Sequence, residues 1–416
     1  MNIKKSFLKI RDKLCYLKVR DMLSLVLFPI ALPYAGYLKM AERNIWLVCE
    51  RRMEARDNGY VFFKYIADNI RLINVYYAID ERSNDYNKLY NYGKKILSFG
   101  SIRHIAYYMA CDALVTSVKN SGPNDLLGFL VRKFHLKKNK IFFIQHGITI
   151  NNVDHFHYNR TGFRAITCGA YPEYKFVSEH FGYPKDGVIF IGGQCRYDYL
   201  HNVDNYLQRY ILIMPTWRKW LKHGSPYLKE VEHTYTFTET RYYKNWAGLI
   251  RNDYLINTAK RNNLKFIFYL HPMMESYIDT FRSENSNVII ANKKDYDIQS
   301  LIRNASMLVT DYSSVFFDFI YMKKPIIFFQ FDIDDFRKFH YSQGYFQYDD
   351  NPFSNTVYCI KEVNEKLKDA IQHEFSVNDE YLEEHKKYFP LYDTKNSERT
   401  FREIYKRIYL KTFPFR

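Results

Sequence analysis

A chain of 416 residues has the length of two or three domains, and 47% apolar with 25% charged residues excludes the disordered and fibrous classes. The 61 Lys and Arg against 45 Asp and Glu leave a net charge of +16. That excess favours anionic partners (nucleic acid, phosphorylated substrates or an acidic membrane face) without choosing among them. The aromatic share of 18% is read first as the composition of an AT-rich genome.

The chain opens with Lys4, Lys5, Lys9, Arg11, Lys13, Lys18 and Arg20 against the single acid Asp12. Ile3, Phe7, Ile10, Leu14 and Leu17 recur at helical spacing, so residues 1–20 read as a basic amphipathic helix on a membrane surface. Residues 22–38 follow without a charge, but Pro29 and Pro33 interrupt a run already shorter than the roughly 20 residues of a spanning helix. The expectation is a segment (residues 1–43) that dips into one leaflet or docks on the next domain. A helix packed on the core is the plain alternative. A secretory signal fits less well, because the basic region is long and no small-residue cleavage site follows.

From residue 44 short apolar runs alternate with helical segments, the pattern of βαβ units and parallel sheets. Strands are expected at Ile45–Cys49, Val75–Ile79, Ala113–Thr116, Ile141–Gln145 and Val188–Ile191, then at Tyr210–Met214, Lys265–Leu270, Met307–Val309 and Pro325–Phe329. Tyr60–Asn69, Trp246–Arg261 and Ile298–Asn304 read as helices. A polar stretch at 196–209 marks a boundary, giving domains at 44–205 and 206–395. The basic, aromatic tail, 396–416, reads as a helix able to cross back onto the first domain. The six cysteines are scattered, with no CxxC pair, which fits reduced, buried thiols and suggests no zinc site.

Open α/β sheets bind ligands beyond the carboxyl ends of their strands. Four such ends carry polar residues: IFFIQHG with His146 and Gly147, ILIMPTWR with Thr216 and Arg218, FIFYLHP with His271, and LVTDYSS with Thr310, Asp311, Ser313 and Ser314. Ser313 and Ser314 open a helix, where free backbone N–H groups favour an anion; a plain N-cap role is the alternative. Each histidine titrates near neutral pH and can move a proton. Arg218 can fork onto phosphate. Asp318 can orient a ligand hydroxyl or form a salt bridge. Asp332, Asp334 and Asp335 read as a solvated loop rather than a metal site, and no cofactor is indicated.

The run VTDYSSVFFDFIYMKKPIIFFQFD closely resembles the signature of the CDP-glycerol glycerophosphotransferases, the teichoic acid primases and polymerases. NIWLVCERRMEARDNGYVFFKYI, QHG, VIFIGGQCRYD, MPTWR, FTETRYYKNWAGLI, LHP and GYFQYDD resemble the family's other pieces in the family's order, from Asn44 to the late 300s. The resemblance implies a GT-B-like architecture: two Rossmann-type domains with parallel sheets facing a central cleft. It implies transfer of a polyol phosphate, glycerol phosphate first, from a CDP-polyol to a lipid-linked acceptor, with release of CMP. It implies peripheral attachment at the cytoplasmic face of a bacterial membrane, in teichoic acid or polyol-phosphate capsule synthesis, with no nucleic acid. His146 becomes the base for the acceptor hydroxyl, and His271 a contact to the donor phosphates. Thr216, Arg218, Thr310, Asp311, Ser313, Ser314 and Asp318 would line the donor pocket. Gly147, Arg196 and Asp198 would be acceptor-side or structural.

The sequence departs from the family at three places. Asn151 and Asn152 stand where many members have proline and lysine. Asn351-Pro352-Phe353-Ser354 replaces a Pro-Gly, and Cys195-Arg196-Tyr197-Asp198 stands where Pro-Arg usually precedes the Asp, keeping Arg196 and Asp198. A CMP-sialic acid glycosyltransferase, a ribitol-phosphate transferase and a non-enzymatic basic module are the competing readings. A chain of this length is also expected to add one unit or a short chain.

Overall fold

A computed structural model describes residues 19–410, apart from 120–121, 135, 137–139, 202–209, 223–224, 226, 235 and 354. The amphipathic stripe expected at residues 1–18 lies outside the described residues, as do the last six residues of the tail.

Two parallel sheets carry the fold. The first holds β1 (Ile45–Cys49), β2 (Asn74–Ile79), β3 (Ile96–Ser98), β4 (Ala113–Thr116), β5 (Ile141–Phe143), β6 (Ala165–Cys168) and β7 (Val188–Phe190), in the order β3-β2-β1-β4-β5-β6-β7. The second holds β8 (Tyr210–Met214), β9 (Lys265–Tyr269), β10 (Val288–Ala291), β11 (Met307–Thr310), β12 (Ile326–Phe329) and β13 (Thr356–Val357), in the order β10-β9-β8-β11-β12-β13. Central strands are buried along their whole length, as in β1 and β11, because helices cover both faces. Each Leu, Ile or Phe taken fully out of water there contributes ~1.5–3 kcal/mol. Four strands were not expected from sequence: β3, β6, β10 and β13, none longer than four residues.

The segment Trp246–Arg261, expected as one helix, is two. Arg241–Ile250 stops, and Asn252 starts Asp253–Asn262 by accepting the Leu255 N–H at 3.2 Å. An Asn-Asp pair favours such a cap over continuing the helix.

The helix Val19–Ala41 runs through both prolines. Ala31, Ala35 and Leu38 dock on the first domain, against the helix Ile102–Ala110. Its other face leaves Leu23, Val26, Ile30, Tyr37 and Met40 exposed. By length and composition Leu23–Ala41 could cross a membrane. At the other end the helix Asn396–Tyr409 lies on the first sheet. Phe401 packs on Trp46 with ring centroids 5.5 Å apart, and Trp46 Nε1 donates to the Tyr409 hydroxyl at 3.2 Å. Cys49, Cys111, Cys168 and Cys195 are buried, whereas Cys359 is exposed at the start of the helix Ile360–Gln372.

His104 is wholly buried, its Nδ1 accepting the Gly100 N–H at 3.0 Å, and burial pushes its pKa down to about 3. The folded chain therefore keeps His104 neutral where the unfolded chain protonates it. Stability is lost as pH falls below ~6.5. Between pH ~6 and ~4 the wild type should lose ~1.4 kcal/mol per pH unit more than His104→Gln. Urea unfolding of both proteins across that range measures it, and parallel pH slopes would refute it.

Candidate active site

The carboxyl ends of the two sheets face each other, and the residues there come from loops tied down by buried polar contacts. His146 follows β5. The residue before it, Gln145, has φ of +55°, a left-handed conformation that costs a non-glycine residue ~1–2 kcal/mol. Side-chain contacts hold it there. The Asn58 amide donates to the Gln145 carbonyl at 2.9 Å. The Gln145 amide donates to Glu173 Oε1 at 2.9 Å and to the Thr167 carbonyl at 2.5 Å. The Thr149 hydroxyl donates to Gln145 Oε1 at 2.5 Å. Strand β5 therefore ends at Phe143 rather than at Gln145, and the chain turns His146 outward, where it is exposed in the cleft.

Desolvation by the surrounding cleft walls lowers the His146 pKa to about 4, helped by the Arg51 and Arg196 cations. A hydrogen bond from the ring to the Ser117 backbone pulls the other way. With one ring nitrogen donating, the other is a hydrogen-bond acceptor, the state a general base needs.

Arg196 braces this loop and spans both domains. Its Nη1 donates to the His146 carbonyl at 2.9 Å and to Asp57 Oδ1 at 3.0 Å. Its Nη2 lies 2.7 Å from Asp318 Oδ1 in the second domain, whose carboxylate also takes the Tyr197 hydroxyl at 2.8 Å. Burial disfavours the Arg196 cation, and Asp318 and Asp57 more than offset it. Asp318 is thus the salt-bridge partner of Arg196, 1% exposed. Asp198 accepts the Asn396 and Ser397 N–H groups at 2.8 and 2.9 Å, which anchors the C-terminal helix.

The domains also touch where glycine alone fits. A Cβ on Gly344 would stand 1.9 Å from the Ile150 carbonyl oxygen, and one on Gly147 would stand 2.9 Å from Ser314 Oγ. Arg337 Nη1 donates across the same seam to Asn151 Oδ1 at 2.7 Å. Asn151, one of the departures from the family pattern, therefore contributes to the domain interface.

On the second domain His271 follows β9, half-buried. Its Nδ1 accepts the Met273 N–H at 3.1 Å, so the ring proton sits on Nε2, a donor. Desolvation lowers its pKa to about 4, with Arg51 and His146 adding to the effect. Trp217 stacks beside His271 at 6.2 Å and meets His340 edge-on at 4.6 Å.

Arg218, expected to fork onto phosphate, is 0% exposed. Its Nε and Nη2 donate to Asp332 at 2.8 and 2.9 Å, and Nη2 lies 2.8 Å from Asp311 Oδ2. Asp332 is correspondingly buried, not solvated, because Arg218 needs its charge. The other Asp311 oxygen accepts the Thr216 and Tyr312 N–H groups at 2.8 and 2.7 Å. Thr310 is wholly buried, its hydroxyl donating to the Met214 carbonyl at 2.7 Å. Arg218, Asp311 and Thr310 are thus the floor under the loop rather than its surface. Thr216 is buried too, its side chain beside the Asp311 carboxylate. Ser313 and Ser314 are half-buried at the loop tip.

Sequence reasoning passed over Asn58, Asp57, Gln145, Glu173 and Arg51. An Asp-Asn pair ahead of a helical run was the one available signal for Asp57 and Asn58. Among the described residues no group of three or more His, Cys, Asp or Glu could hold a metal ion.

The family model for CDP-Glycerol:Poly(glycerophosphate) glycerophosphotransferase matches residues 35–406. The chain belongs to this family. The minor teichoic acid biosynthesis protein GgaB of Bacillus subtilis is 27% identical over 87% of this chain and 40% of its own length. The teichoic acid ribitol-phosphate polymerase TarK of Staphylococcus aureus is 24% identical over 37% of this chain and 28% of its own. The chain therefore spans about two fifths of the length of GgaB. The solved wall teichoic acid polymerase TagF matches 98% of both chains, with a TM-score of 0.64 at 15% identity. The chain thus has the GT-B-like fold that its sequence motifs implied.

Proposed function

We propose that this chain transfers a polyol phosphate, glycerol phosphate first, from a CDP-polyol to a lipid-linked acceptor and releases CMP, in teichoic acid or polyol-phosphate capsule synthesis. The observation that carries the reading is the pair of histidines, one at the carboxyl end of each sheet, close enough that His146 acts on His271. Membership of the glycerophosphotransferase family gives the donor class.

His146 takes the proton from the acceptor hydroxyl as that oxygen attacks the phosphorus bearing the polyol. The new O–P bond forms as the bond to the CMP oxygen breaks in line, and CMP leaves with the bonding pair. His271 Nε2–H donates toward the phosphate oxygens on which charge builds. Positioning and charge stabilisation dominate such a transfer, so no covalent intermediate is required. Ser313, Ser314 and Thr216 complete the donor side; Arg218, Thr310 and Asp311 hold them in place. The exposed apolar face of the helix Val19–Ala41 supports a peripheral seat on the acidic cytoplasmic face of the bacterial membrane. There the lipid-linked acceptor is found.

The ribitol-phosphate polymerase among the relatives favours CDP-ribitol as the second donor to try. Purified protein offered CDP-glycerol, CDP-ribitol or CMP-sialic acid, with a membrane extract as acceptor, should release CMP from one CDP-polyol. Release from CMP-sialic acid alone would replace this reading with a glycosyltransferase.

A further inference from the structure

The segment after β1 reads Glu50-Arg51-Arg52-Met53-Glu54-Ala55-Arg56-Asp57, three arginines beyond the carboxyl end of an interior strand. Two of them are committed to the protein. Arg52 Nε donates to Asp80 at 2.6 Å, and Arg56 Nε donates to Asp85 at 2.7 Å, both onto buried carboxylates. Arg51 is different. Its side chain is 57% exposed, and its ion pair is a 3.6 Å contact to the partly exposed Glu54. An exposed pair of that length holds a guanidinium only weakly.

The position of Arg51 is fixed by its neighbours. The Cys49 carbonyl, at the end of β1, accepts the Ser117 N–H at 3.3 Å. The Ser117 backbone is also what the His146 ring bonds to. Arg51 therefore leaves the sheet beside the loop that holds His146. Its charge acts on both His146 and His271. A cation with weak local pairing, whose charge reaches two neutral rings, at the topological switch of a parallel sheet, is placed for an anion.

We propose that Arg51 is a substrate-contacting residue, which binds the pyrophosphate of a nucleoside diphosphate ligand beside His146 and His271 and neutralises the charge that builds on the phosphoryl group in transfer. This rests on the proposed reaction for its second half only. Arg51 gains and loses no proton; it stays a cation throughout. Its fork matches two phosphate oxygens at once, which a lysine ammonium does not.

Inorganic pyrophosphate is the first probe, titrated calorimetrically into the full chain. Arg51→Ala should weaken its binding about tenfold or more, and Arg51→Lys should recover part of the loss. Equal affinity in wild type and Arg51→Ala overturns the proposal, as does the absence of pyrophosphate binding by the wild type. The second readout is CMP release from the CDP-polyol that the wild type uses. Arg51→Ala should lower kcat by ~10²–10³-fold, with an unchanged melting temperature because the Glu54 contact is exposed. Wild-type turnover in that variant overturns the transition-state role. A wild type that binds pyrophosphate through Arg51 but turns over no CDP-polyol would fault the reaction and leave the binding site standing.

Discussion

His146→Ala is expected to lower CMP release by ~10²–10⁴-fold, the worth of a positioned general base, while the protein melts with the wild type. The ring is exposed in the cleft and supports no packing, so its removal leaves the loop held by Arg196, Asn58 and Gln145. The pH dependence gives a second handle. A base whose pKa is lowered to about 4 stays neutral through the physiological range. Its contribution to kcat/KM is lost only as pH falls through about 4. An unperturbed histidine would lose it near pH ~6.5. Near-wild-type turnover in His146→Ala would remove it from the mechanism, and an acid limb near pH ~6.5 would contradict the desolvated site.

Arg218→Ala carries the largest expected cost in stability. The substitution leaves Asp311 and Asp332 buried without their cation, which typically destabilises by ~3–5 kcal/mol. It also empties a volume walled by Tyr242, Tyr312, Phe336 and Trp220, whose rings lie 4.8–5.9 Å from the guanidinium carbon. Arg218→Lys should not rescue it, because one ammonium cannot serve both carboxylates in the forked geometry. Urea unfolding measures the loss. If Arg218→Ala instead unfolds with the wild type and only the KM for the CDP-polyol rises, the guanidinium serves the donor after all.

That residue also shows where sequence reading stops. The four strand ends bearing His146, Thr216-Arg218, His271 and the DYSS run were all legible, because apolar runs that stop at polar residues announce the edge of a sheet. Which of those polar groups face the ligand was not legible. Thr310, Asp311 and Asp318 were read as donor-pocket residues and are committed to buried contacts within the protein. The distinction depends on partners distant in the chain. Asp332 lies 114 positions from Arg218, and Asp318 lies 122 from Arg196. The short strands β3, β6, β10 and β13 escaped because two to four residues show no period. Gln145 escaped because its backbone is set by Asn58, which precedes it by 87 positions. The GT-B-like fold was carried by motif order, which survives where individual contacts cannot be read.

The chain enters the second domain after β7 and returns from it through the helix Asn396–Tyr409, and these two crossings are fastened together where Asp198 holds Asn396 and Ser397. The two connections between the domains therefore meet at one carboxylate. Gly344 against Ile150 and Asp318 against Arg196 also join the domains, and Arg196 holds the His146 carbonyl as well, so one guanidinium ties the seam to that loop.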